Sequence, residues 1–155
     1  MKLLQIIFLF ILILGCSSNT VSNNTNLKEL EASADLHFKD GDYKSAANIL
    51  EDLIKKDSVR SAIYLYKLAV CKNLDGQYDL SSKDLLKSIE KGYNSKESYF
   101  LLAENTIKSK NDTAKALSYI NQAFQIDPKD TSIIMYKLIL MGENEAMKFT
   151  LDSLL

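Results

Sequence analysis

The feature that most constrains this chain is that it repeats itself at a step of 35 residues. Gly41-Asp42-Tyr43 recurs as Gly76-Gln77-Tyr78, and Asn111-Asp112-Thr113 stands at the next interval. Small residues keep the same register at Ala46, Ser81 and Ala116, and Leu53 is followed in step by Ser88 and Ala123. Bulky Leu50, Leu85 and Ile120 fall between them each time. A period of roughly 20 to 50 residues marks units too small to bury an apolar face alone, so the units must stack.

Each unit reads as two helices. Leu30, Ala34 and Phe38 mark the first helix of the first unit; Leu65, Leu68 and Ala69 mark that of the second. Tyr99, Leu102, Ala103 and Ile107 do so in the third. The second helices run from Tyr43 to Lys56, Tyr78 to Lys91 and Thr113 to Ile126. Apolar residues recur at spacings of three and four, which puts a buried stripe on each helix. Asp127-Pro128 ends the last of these, because proline disfavours helical geometry in the residue before it. Absence of tryptophan, a single proline and five glycines suit a mostly helical protein.

These residues resemble the tetratricopeptide repeat. Its small helix-crossing residues correspond to Ala34, Ala69 and Ala103 in the first helices, and to Ala46, Ala116 and Ala123 in the second. Its turn corresponds to Gly41-Asp42-Tyr43 and its closing proline to Pro128. Ser81, Ser88 and Leu53 depart from the alanine pattern, and the first two units lack the proline. The resemblance implies an all-α fold, a short right-handed α-solenoid of about three helix pairs over residues 27–60, 61–95 and 96–130. Thr131 to Leu155 is expected to add a C-terminal capping helix or helix pair, with its apolar residues alternatively serving as a self-association patch.

In this family the first helices line a concave face. The corresponding positions here are Lys28, Glu31, Asp35, Phe38 and Lys39, then Ile63, Tyr66, Val70 and Asn73, then Glu97, Phe100, Glu104 and Ile107. An aromatic centre of Phe38, Tyr66 and Phe100 ringed by carboxylates suits a peptide or helix with apolar anchors and basic flanks. Glu31, Asp35 and Glu97 occupy places where a cationic clamp for a C-terminal carboxylate would stand, which argues against that mode.

The amino-terminal end sets the compartment. Met1-Lys2 is followed by an apolar run from Leu3 to Leu14, broken only by Gln5, and then by Gly15-Cys16. That is the layout of a secretory signal peptide over residues 1–15. A helix over this run would span about 18 Å, too short for a hydrocarbon core of about 30 Å. The segment resembles a bacterial lipobox. The resemblance implies cleavage before Cys16, acylation of its thiol, and anchoring by several chains. Ser17, rather than an acidic residue, follows the cysteine; by the family's sorting rule this points to the outer membrane. Ser17 to Asn26 has little to bury and is expected to be a disordered tether spanning on the order of 20 Å.

Nineteen basic residues against twenty acidic ones give no field that attracts nucleic acid. His37 is the only histidine, so Ser-His-Asp and multi-histidine zinc arrangements are out of reach. No glycine loop for phosphate occurs, and no cofactor, metal or enzyme activity is expected. With Cys16 acylated, Cys71 has no disulfide partner and sits in an apolar helical stretch as a buried thiol. Asp57-Ser58-Val59, Asp112-Thr113-Ala114 and Asp152-Ser153-Leu154 resemble an O-glycosylation tripeptide, placing Ser58, Thr113 and Ser153 as acceptors; Asp-Ser and Asp-Thr are equally ordinary helix starts. The reading is a lipid-anchored adaptor binding protein partners in the cell envelope. A glycan-capturing surface lipoprotein and a self-assembling structural subunit are the alternatives.

Overall fold

The computed structural model describes residues 17–142, and side chains from Asn26 onward. The leader, Cys16, Ser153 and the distal part of the expected cap, residues 143–155, lie outside it. Among the described residues there are seven helices and no strand. They are α1 (Ser17–Lys39), α2 (Tyr43–Lys56), α3 (Ser61–Leu74), α4 (Tyr78–Glu90), α5 (Lys96–Lys110), α6 (Thr113–Ile126) and α7 (Thr131–Met141). Helices α1, α3 and α5 begin the three units, and α2, α4 and α6 complete them. Two boundaries differ from the sequence reading: α4 ends at Glu90, one residue early, and α1 starts at Ser17, so the stretch expected to be a disordered tether is helical. No glycine or proline interrupts Ser17 to Asn26. A helix nucleated downstream by packing extends through it, each added residue gaining a backbone hydrogen bond against the propensity cost of Ser, Thr and Asn.

Local chemistry sets most of these boundaries. Asp42 accepts a hydrogen bond from the Ser45 amide (3.1 Å), Ser95 from Ser98 (3.2 Å) and Asp112 from Lys115 (2.9 Å). Asp130 accepts from both Ser132 and Ile133 at the start of α7. These are side-chain N-caps. Gly41 and Gly76 turn the chain at φ +78° and +76°. The Asp42 and Gln77 amides then close back on the carbonyls of His37 and Lys72, the pattern of a glycine-terminated helix. Asn111 takes the same role in the third unit at φ +51°; asparagine tolerates this left-handed conformation better than other side chains.

Each helix packs chiefly on its neighbours in the chain, as in a linear stack. Ala34, Ala46, Leu50, Leu53, Tyr64, Leu68 and Cys71 form the first core cluster. Ala69, Leu85 and Leu102 join the second unit to the third. Ala103, Ala116, Ile120, Ala123 and Ile133 form the last, so α7 covers the end of the third unit through Ile133. The serines at alanine positions are satisfied by the facing helix: Ser81 Oγ donates to the Ala69 carbonyl (2.7 Å), and Ser88 Oγ to that of Ala62 (2.6 Å). Asn105 Nδ2 donates to Ser81 Oγ (2.9 Å) and Asn73 Nδ2 to Asn105 Oδ1 (2.6 Å), a polar chain linking α3, α4 and α5. Among the described residues no buried side-chain polar atom lacks a partner. Leaving one unpaired would cost about 1–3 kcal/mol.

Cys71 is buried, and burial pushes its thiol up to about 11. We expect an aromatic disulfide reagent to label it at neutral pH only as fast as the protein unfolds; fast labelling of the folded protein would mean that the α1–α3 contact opens.

A groove along the first helices

The first helices leave two pockets that share a wall. The larger, of about 380 Å³, lies between α3, α5 and the start of α7. Tyr66, Val70, Asn73, Glu97, Phe100 and Ile133 line it, together with Leu74, Lys96, Leu101, Asp130 and Ser132. The smaller, of about 240 Å³, lies between α1 and α3, lined by Asp35, Phe38, Tyr66, Lys67 and Val70 over a floor of Ala34, Leu50 and Cys71. Tyr66 and Val70 belong to both and form the ridge between them. One face of α3 thus joins the two pockets into a single groove.

Seven of the thirteen positions named from the sequence line this groove: Asp35, Phe38, Tyr66, Val70, Asn73, Glu97 and Phe100. The other six do not. Glu31 pairs with Arg60 Nη1 (2.5 Å) and accepts a hydrogen bond from the Tyr64 hydroxyl, so it ties α1 to α3 instead. Ile107 packs against the last core cluster. Glu104 lines neither pocket but lies near Tyr136, whose phenol is raised by burial first and by this carboxylate second. Of the flanking positions, Lys28, Lys39 and Ile63 lie outside both pockets. The contributions of α7 and of Lys96 and Leu101 to the larger pocket escaped the sequence reading. The continued apolar spacing of Ile133 and its neighbours was the available signal.

Rings in the groove are held by other rings. Phe38 meets Tyr43 edge-on (5.6 Å between centroids), Tyr66 meets Tyr93 (5.0 Å) and Phe100 meets Tyr136 (5.2 Å). Rings fixed in this way lose little freedom when a ligand packs on them. Charge is largely matched at the rim: Lys67 reaches Asp35 (2.8 Å), and Lys96 reaches Asp127 (2.7 Å) and Asp130 (2.6 Å).

Hydrogen bonds from Lys96 hold both of these carboxyls below the usual carboxylate range. A carboxyl depressed in the folded state adds stability that is full above the unfolded value near pH 3.8 and disappears as pH falls through the folded value. Lys96→Met should therefore flatten the fall in melting temperature below about pH 4. An unchanged acid limb would show that the pair contributes nothing.

His37 Nδ1 lies 3.3 Å from Asp42 at the exposed end of α1, away from both pockets. Among the described residues no cluster of three histidine, cysteine or acidic side chains is placed to hold a metal ion, and no helix is long and apolar enough to cross a membrane. Ser58 and Thr113 are exposed where one helix gives way to the next. The aspartates before them cap turns: Asp57 accepts from the Val59 and Arg60 amides, and Asp112 from Lys115.

No family model and no curated protein matches the chain. Solved structures do. The second tetratricopeptide (TPR) domain of human RPAP3, in complex with an HSP70 peptide, superposes with a TM-score of 0.68 at 12% identity, covering 78% of this chain and 99% of that one. The fold is of the tetratricopeptide type. The Yersinia enterocolitica type III secretion chaperone SycD, in complex with a peptide of the translocator YopD, gives 0.65 at 21% identity over 81% of this chain and 95% of that one. YrrB, described as a TPR protein with an unusual peptide-binding site, gives 0.63 at 17% identity over 70% of this chain and 55% of that one. At these identities the likeness establishes the solenoid and its two-helix units.

Proposed function

We propose that this solenoid is a non-catalytic adaptor that binds a protein partner in its first-helix groove, tethered to the bacterial outer membrane through an acylated Cys16. The observation that carries the binding role is the groove itself: two apolar pockets joined by the Tyr66–Val70 ridge, with preset rings along it. Two of the structures with this fold hold a peptide. Support for the anchor comes from the order of charge, apolar run, Gly15 and Cys16. Cys16→Ser is expected to abolish incorporation of an alkyne-bearing palmitate analogue and to release the chain from the membrane fraction. Unchanged labelling and fractionation would remove the anchor from the account.

A self-assembling subunit is the second reading. Met135 and Ile139 on α7 are 63% and 71% exposed, one helical turn apart, a larger apolar display than α7 needs for covering the third unit. Sedimentation of C16S protein across a hundredfold concentration range distinguishes the two readings. The adaptor reading expects a constant monomer mass. Glycan capture is less well served, because the groove rings lie against other rings rather than open to a sugar face.

A further inference from the structure

The carboxylates around the groove are not equivalent. Asp35 is matched by Lys67 and Asp130 by Lys96, while Glu31 is held by Arg60. Glu97 and Glu104 have no ion-pair partner among the described residues. Both stand on α5 with Phe100 between them, at spacings of three and four residues, which places the three side chains on one helix face. Glu97 lines the larger pocket beside Phe100, and Tyr66 stands across from them. Glu97 and Phe100 therefore line one edge of an apolar pocket of about 380 Å³, and Glu104 follows one turn further along the same helix face, just outside it.

We infer that this end of the groove takes a protein segment with a bulky apolar residue bracketed by lysine or arginine. The apolar side chain enters the larger pocket against Tyr66 and Phe100, and the cations meet Glu97 and Glu104. Seven residues of helix rise about 10.5 Å, close to the roughly 9 Å covered by three residues of polyproline II chain, whose three-residue turn returns side chains three apart to one face. The basic residues should accordingly lie about three apart. The α1 end of the groove, where Lys67 already neutralises Asp35, adds apolar contact without this charge preference. The inference rests on the adaptor reading and assigns its partner a sign of charge.

The test uses full-length C16S protein and fluorescein-labelled twelve-residue peptides with a central Leu-Phe pair. One carries lysines three apart around the pair, a twin carries glutamates there, and a third carries glutamines. By fluorescence anisotropy the lysine peptide should bind about tenfold more tightly than the glutamate twin, with the gap shrinking as salt rises. The double variant E97K/E104K should reverse the order, and E97Q/E104Q should bring the three together. Because these side chains are outside the core, folding is checked simply by circular dichroism.

If the lysine preference survives in E97K/E104K, the inference is overturned. If all three peptides bind alike in the unaltered protein and Tyr66→Ala weakens all of them, the groove stands and its charge selectivity falls. If none binds, while a labelled peptide of residues 143–155 or a second copy of the chain does, the groove belongs to self-recognition and the adaptor reading falls as well.

Discussion

Leu85→Ala is expected to lower the unfolding free energy by about 3 kcal/mol, the usual cost of a Leu-to-Ala truncation in a core that cannot collapse around the gap. Leu85 is fully buried and lies in the small cluster that joins the second unit to the third, between Ala69 and Leu102. In a linear stack nothing bypasses such a junction, since each helix leans chiefly on its chain neighbours. Leu80→Ala on the same helix is the matched control: it is 49% exposed and should cost less than about 1 kcal/mol. Urea denaturation followed by circular dichroism compares the two. Equal midpoints for L85A and L80A would mean that α4 is not packed between α3 and α5 as described.

Tyr66→Ala should produce the largest binding defect, a loss of about thirtyfold or more in affinity for the protein partner, as expected when a central aromatic anchor is truncated. Tyr66 is a residue both pockets share, so its removal destroys the ridge and merges two shaped cavities into one shallow trough. Its ring is braced by Tyr93; some stability will go with it, and affinity must be read well below the variant's melting temperature. Leu86→Ala, on a second helix and 47% exposed outside both pockets, should leave affinity unchanged. Equal losses from the two substitutions would indicate that the partner does not sit on the first helices.

Most of the fold is legible in the chain because the repeat writes each structural instruction three times. The turn at Gly41, Gly76 and Asn111, the small residues from Ala46 to Ala123, and the apolar stripes all agree in register, and the helices fall where that register puts them. The serine departures are legible as departures but not as solutions. That Ser81 and Ser88 bond to carbonyls on the facing helix depends on a contact between chain segments. Glu31 escapes its expected place for the same reason: its position in the repeat is a groove position, but Arg60 and Tyr64 capture it across the α1–α3 boundary. The polarity of Ser17 to Asn26 suggests a tether, whereas helix extension depends on what the next turns pack against. The groove can be named largely residue by residue; its division into two pockets, and which of its charges are already matched, require the side chains in place.

The central claim is that partners bind on the first helices, and site-specific photocrosslinking in intact cells tests it most directly. A photoreactive amino acid replaces Val70 in one strain, at the ridge of the groove, and Leu86 in another, on a second helix. The account predicts a discrete heavier adduct from position 70, identified by mass spectrometry as an envelope protein, that position 86 does not give and that Y66A suppresses. An adduct from position 86 alone would contradict it.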